Sequence, residues 1–394
     1  MYDYVIIGAG IVGLSVAYTI QKKQPDAFIA VLEKEEAAAL HQTGNNSGVI
    51  HSGIYYPPKS FKAAFAKNGN RSMITFCEEH EIPYEQCGKI IVATEEKQMA
   101  SLQNLYKRAQ DNELTVYWLE EDQLKEREPH VKGVAGIEVP STGIVNYKTV
   151  SDKLAVLIQE KGNHIFFNEQ VISINENDEV SIKTRKQTIN GKKMVNCAGL
   201  HSDRIAKLAG YHMDMQIVPF RGEYYQLKEE ARHLVKHLIY PVPNPDFPFL
   251  GVHFTRMIDG GVEAGPNAVL GLKREGYSKM DWNVKDLTQV LVFPGFWKLA
   301  SSYIREGTAE MVRSVSKKSF IKSLQKLIPE ITENDIEKAP AGVRAQALRL
   351  NGKLVDDFYI VKGKHSLHVC NAPSPAATGS LQIGEEVFQR FQES

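Results

Sequence analysis

Three glycines, Gly8, Gly10 and Gly13, follow a short apolar run at residues 4–7 and precede a helix-compatible stretch at 14–24. A second apolar run at 27–32 ends in Glu33. Strand, glycine turn, helix, strand, acid is the opening of a βαβ unit that binds a dinucleotide. The first glycine permits the sharp turn, the second lets backbone approach a pyrophosphate, and the third lets helix and strand pack closely. Amides at the helix start then stabilise phosphate charge, and a carboxylate at Glu33 can accept hydrogen bonds from ribose hydroxyls. A structural turn explains the glycines but not the acid at the end of the second strand. Spacing alone does not separate FAD from NAD.

A βαβ unit needs further parallel strands, and the chain supplies them late. Residues 165–168 and 193–197 read as buried parallel strands, the second ending at Ala198 and Gly199. Residues 171–175 and 180–184 form a hairpin pattern, and 60–80, 96–112, 120–128 and 147–161 read as helices. Between 216 and 268, short β-rich runs broken by prolines and glycines predict a largely antiparallel second lobe. Helical patterns return at 284–327, and the end reads strand (358–361), strand (366–370), helix (380–392). The expected fold is mixed α/β: a Rossmann-type dinucleotide-binding lobe from 1–80, 145–215 and 340–394, with a predominantly antiparallel β-sheet substrate lobe from 81–144 and 216–339.

A length of 394 residues suits two closely packed lobes. The 47 basic and 47 acidic residues leave a net charge of zero, which argues against nucleic acid as a partner. The four cysteines, Cys77, Cys87, Cys197 and Cys370, have neither disulfide-framework nor metal-knuckle spacing, and no metal site is expected. The apolar stretch at 5–20 carries the glycine motif itself, so it reads as fold rather than signal peptide. No run is long enough to cross a bilayer. A cytoplasmic protein is expected, with peripheral contact at the inner membrane left open.

Longer strings then become recognisable. Asn45–Asn46–Ser47 followed by 48–56, the run 220–225, and the segments 251–255, 265–269, 341–345 and 371–380 resemble the FAD-dependent L-2-hydroxyglutarate oxidase and dehydrogenase family, within the D-amino-acid-oxidase-like flavoproteins. The resemblance spans essentially the whole chain. It implies FAD, oxidation of a small dicarboxylate (L-2-hydroxyglutarate to 2-oxoglutarate), and electron delivery to oxygen or a respiratory-chain acceptor; with no cysteine or histidine assignable as an attachment point, the FAD is expected to be non-covalent. It also implies that 43–52, including Thr43, Asn46 and Ser47, runs beside the flavin. The adenine side is expected near Val171, Ala198 and Gly199, and Thr378 and Gly379 are expected to touch the cofactor at the start of the last helix.

Oxidising a 2-hydroxy acid requires a proton acceptor and a means of fixing the carboxylates. Histidine suits the first task, and His51 and His253 both fall in matched segments. Arginine suits the second: Arg221 and Arg344 are candidate clamps, Arg344 placed in a glycine-containing turn, with Lys273 and Arg274 as further cations. Of the pairs Tyr55–Tyr56 and Tyr224–Tyr225, one member each is expected in the site, and Tyr55 and Tyr224 are the candidates. Oxidation of another small hydroxy or amino acid, or flavin binding without catalysis, are the alternatives.

Overall fold

The structure, a computed structural model, describes residues 1–243 and 250–393, and for 305, 306 and 309 the backbone alone. An eight-stranded sheet is built around the first strand, Tyr2–Ile7, which lies between Ile29–Leu32 and Thr188–Asn196, parallel to both. His164–Phe166 extends it in parallel on one side, and Ser366–Asn371 does so on the other. Ile29–Leu32 is buried along its whole length, as a parallel strand covered on both faces must be. Helix Ile11–Lys23 packs against helices Tyr147–Glu160 and Ser380–Gln392. Leu14, Val16, Ile20 and Ile383 are fully buried in the shared core, each worth roughly 1.5–3 kcal/mol of transfer free energy. The predicted hairpin, Val171–Glu176 with Val180–Thr184, closes one edge.

The second sheet has nine strands around the long strand Met215–Leu227. Val262–Leu270, Ile336–Lys338 and Gly342–Arg349 pair with it in antiparallel fashion. His253–Arg256, Leu238–Pro241, Lys89–Ala93, Ala135–Val139 and Tyr117–Glu120 continue the sheet. Every pairing is antiparallel except that of Leu238–Pro241 with Lys89–Ala93. Four helices, Val284–Leu291, Pro294–Ser302, Ile304–Val315 and Lys317–Leu324, fill the predicted helical region.

Two sequence expectations are corrected here. Arg344 lies in a strand rather than a turn, because 342–349 pairs in continuous register with 215–222, placing Arg344 opposite Phe220. The same pairing moves this segment out of the nucleotide lobe and into the second sheet. A small third sheet, Val49–Ile50, Tyr84–Glu85 and Gly143–Val145, was not anticipated.

Helix Phe61–Glu79 starts where Ser60 accepts the Ala63 N–H at 3.1 Å. It crosses the start of the last helix at close range. A Cβ on Gly69 would lie 2.6 Å from the Thr378 carbonyl oxygen, and one on Gly379 would lie 2.9 Å from Phe65 Cβ. From this helix Asn70 donates Nδ2–H to the carbonyls of His51 (3.3 Å) and Ser141 (2.8 Å), fixing the loop that carries His51.

Candidate cofactor and active site

A cavity of about 1000 Å³ runs from the C-terminal ends of the parallel strands to the second sheet. At its first end lie Gly8, Gly10, Ile11 and Val12. Gly8 has φ +104°, and a Cβ there would meet the Cys197 carbonyl oxygen at 2.6 Å. Gly13 is behind the wall, where a Cβ would fall 2.0 Å from the Gly8 carbonyl oxygen, so its role is close packing of helix on strand. Gly10 caps helix Ile11–Lys23, whose first turn has no acid, and the Ile11 N–H donates to Thr43 Oγ1 at 3.1 Å. The cavity meets a helix N-terminus suited to an anion.

Glu33 closes the second strand with its carboxylate fixed by backbone. Oε2 accepts the Ala9 N–H at 2.8 Å and Oε1 the Glu35 N–H at 3.0 Å. Val171, Ala198 and Gly199 line the same end. A glycine cradle, a bare helix start and an oriented carboxylate at one end of a long cavity fit an adenine dinucleotide, with phosphates at the amides and ribose at Glu33.

Farther along, Thr43, Asn46, Ser47, His51 and Thr378 line the wall. Thr378 Oγ1 accepts the His51 backbone N–H at 3.0 Å and lies 2.9 Å from the buried Tyr147 hydroxyl, tying the His51 loop to the last helix. Asn46 Oδ1 accepts the Gly48 N–H at 2.9 Å, which holds the turn there.

The second sheet supplies the opposite wall: Tyr224, Tyr240, His253 and Arg344, with Tyr55 and Tyr56 beside them. His253 Nδ1 lies 3.0 Å from the Gly251 carbonyl oxygen, which fixes an Nδ1–H tautomer and leaves Nε2 as acceptor. Burial pushes its pKa down to about 3, against the Gly251 bond and with help from the Arg344 and Lys89 charges. Burial, followed by the charges of Lys89, His253 and Arg344, holds His51 well below the usual histidine range. Both imidazoles are therefore neutral at neutral pH. Arg344 has no ion-pair partner among the described residues. The Tyr224 pKa is raised by burial, opposed by the neighbouring Arg344 charge.

Several sequence candidates lie elsewhere. Arg221 points away from the cavity: it is 6% exposed, donates to Glu223 Oε1 and the Ser278 carbonyl, both at 2.9 Å, and is a structural ion pair. Alternation along the strand sends its side chain to the face opposite Gly222 and Tyr224, which do line the cavity. Arg274 is buried against Asp203. Lys273 and Gly379 are not in the lining either, Gly379 being used in helix packing. Tyr225 packs against Phe320, leaving Tyr224 in the site, whereas Tyr55 and Tyr56 both line it. Sequence reasoning missed Tyr240 and, behind it, Lys89. The available signal was a lysine opening the otherwise apolar strand Lys89–Ala93.

The chain belongs to the FAD dependent oxidoreductase family, which it matches over residues 3–390. Its cofactor is FAD. It is 50% identical to an L-2-hydroxyglutarate dehydrogenase of Indibacter alkaliphilus over 98% of both chains. It is 46% identical to the Escherichia coli L-2-hydroxyglutarate dehydrogenase, over all of this chain and 93% of that one. Among solved structures, an FAD-bound L-α-glycerophosphate oxidase from Mycoplasma pneumoniae superposes with a TM-score of 0.81 at 22% identity, covering 99% of this chain and 94% of the other. This last likeness is one of fold.

Proposed function

We propose that the protein oxidises L-2-hydroxyglutarate to 2-oxoglutarate. The observation that carries this reading is Arg344, which has no ion-pair partner among the described residues, beside two neutral histidines in the cavity that meets the dinucleotide cradle. FAD supplies the acceptor for the hydride from C2. The chain's own residues do the rest. Arg344 holds a carboxylate through its planar fork, and Tyr224 and Tyr55 border the substrate. His253 Nε2 takes the hydroxyl proton, with His51 on the facing wall as the other candidate base.

The thiols near the cofactor are poor nucleophiles: burial pushes Cys370 up to about 12 and Cys197 higher still. This supports non-covalent FAD, which acid precipitation would release. We place the cofactor lobe at 1–80, 145–215 and the segment after 349, with the intervening chain forming the substrate lobe.

Anaerobic addition of each enantiomer of 2-hydroxyglutarate tests the reading directly. The L form is expected to bleach the flavin band near about 450 nm, as loss of the oxidised ring requires; failure to do so while another hydroxy or amino acid succeeds would replace the substrate.

For the electron acceptor, a membrane-phase carrier is favoured over oxygen by the composition of one segment. Met280, Trp282, Val292, Trp297, Ile304 and Val315 are 57–83% exposed, and the same segment and its flank carry Lys285, Lys298, Arg313, Lys317 and Lys318. Trp297 spends its Nε1–H on the Leu291 carbonyl at 2.7 Å and leaves its ring outward. Apolar and basic groups together suit an anionic lipid surface. Among the described residues no helix is long and apolar enough to cross a membrane, so the contact proposed is peripheral.

A further inference from the structure

Lys89 is 1% exposed. Its Nζ lies 4.5 Å from the Tyr240 ring centroid and 5.1 Å from that of Tyr55. Those rings stack 6.5 Å apart, and Tyr240 stacks in turn on His253 at 4.0 Å. Among the described residues no carboxylate or hydrogen-bond acceptor pairs with this ammonium. Beside it the Tyr55 hydroxyl is buried without a partner. Aromatic faces offset only part of the cost of stripping water from a cation. Tyr55 and Tyr240 line the pocket and Lys89 sits behind them; a buried cation and a buried hydroxyl at one corner of this wall, both lacking an acceptor among the described residues, together point to an anion brought by the ligand.

We propose that Lys89 and the Tyr55 hydroxyl form the corner that selects the distal carboxylate of a 2-hydroxy diacid. Lys89 acts as a positioning charge from behind the Tyr55–Tyr240 wall, while Arg344 holds the carboxylate next to the reacting carbon. This rests on the reaction proposed above and assigns its specificity. Burial also brings Lys89 down to about 7, so an arriving dianion draws a proton onto it. Glu263, raised to about 7 by burial, acts on Tyr224 and not on Lys89 or its two rings, and the groups next to Lys89 are silent near neutrality. Cys87 is pushed up to about 11, Tyr240 and Tyr55 lie above their ordinary range, His253 sits at about 3 and His51 well below its own range.

The test compares L-2-hydroxyglutarate with L-2-hydroxyvalerate, which has a methyl in place of the distal carboxylate, in the wild type, Lys89→Met and Lys89→Arg. The kcat/KM ratio of diacid to monoacid should fall at least about tenfold in Lys89→Met, through KM, as expected for loss of a recognised charge, and largely recover in Lys89→Arg. Equal losses for both substrates, or an unchanged ratio, overturn the proposal. Should Lys89→Met not retain FAD, calorimetry on the wild type in buffers of different ionisation enthalpy decides. Proton uptake on binding 2-oxoglutarate but not 2-oxovalerate supports the corner, and equal uptake overturns it. Failure of the underlying reaction shows separately, as a wild type that does not turn over L-2-hydroxyglutarate.

Discussion

The imidazole of His253 lies over the ring of Tyr240, with centroids 4.0 Å and planes 22° apart, and Gly251 holds its Nδ1. Stacking sets the plane of the ring, and the carbonyl sets its rotation. An acceptor placed this way needs no proton rearrangement before reaction. Exchange of His253 for Gln should lower kcat/KM by about 10²–10⁴-fold, the usual contribution of a positioned base, with the flavin-to-protein ratio unchanged. The pH profile of kcat/KM should show no acid limb at the ordinary histidine value, because the base is already neutral there. Normal turnover by His253→Gln would transfer the role to His51, whose imidazole is also held well below the ordinary histidine range.

The same depression makes acid destabilising. His253 at about 3 and His368 at about 4 stay neutral in the folded chain below the ordinary histidine pKa of 6.5, where the unfolded chain takes up protons. Their contribution is fully present above that value and is lost as pH falls through the window below it. His368 is held between Asn196 Nδ2 (3.2 Å) and Ser366 Oγ (3.0 Å). Exchange for Gln should flatten the fall of Tm with acidification, and an unaltered slope would show that His368 does not contribute.

The two arginines should part company. Arg344→Lys should raise KM by roughly tenfold or more with little change in Tm, since the planar fork is lost and the charge kept. Arg221→Met leaves Glu223, 9% exposed, with Asn267 at 3.1 Å and Lys279 at 3.4 Å as remaining partners. Its cost falls toward the low end of roughly 3–5 kcal/mol for breaking a buried pair and appears in thermal unfolding. A KM effect at Arg221 larger than at Arg344 would reverse the assignment.

Gly13→Ala places a methyl 2.0 Å from the Gly8 carbonyl oxygen, a backbone atom that cannot give way. This variant should be lost to misfolding or recovered colourless. At Gly10 the nearest atom is Thr43 Oγ1 at 3.4 Å, ordinary contact. Gly10→Ala should fold, with Tm of the FAD-free protein preserved, but bind FAD more weakly because the methyl occupies the approach of the phosphates. Absorbance ratios and FAD titration separate the two cases.

Replacing Trp282, Val292 and Trp297 together by Ser should reduce co-sedimentation with anionic vesicles while leaving turnover with a soluble dye intact. These side chains are exposed by more than half, so little core packing is removed. Co-sedimentation equal to that of the wild type would remove this surface from consideration.

The cofactor end was legible because its physics is local. Gly8, Gly10, Gly13 and Glu33 are fixed by a strand, a turn and a helix that neighbour one another in the chain. The His253 segment was readable from its string, but the partners that give it a tautomer were not. Arg221 and Arg344 looked alike in sequence, and only register and strand face separate them: Arg344 faces the cavity, whereas Arg221 lies across from Gly222 against Glu223. Lys89 stood out only as a lysine opening an apolar strand, and its surroundings were hidden for the same reason. Its neighbours Tyr55 and Tyr240 come from segments brought together by long-range pairing.

The parallel sheet that opens with Tyr2–Ile7 is completed by Ser366–Asn371, and the first helix is covered by Ser380–Gln392. Strand Thr188–Asn196 therefore keeps one apolar edge uncovered until the much later Ser366–Asn371 has been made and docked beside it. Such late closure makes folding slow and aggregation a standing hazard. It also means that deleting Ser380–Gln392 would uncover the side of helix Ile11–Lys23 that it packs against rather than trim a tail.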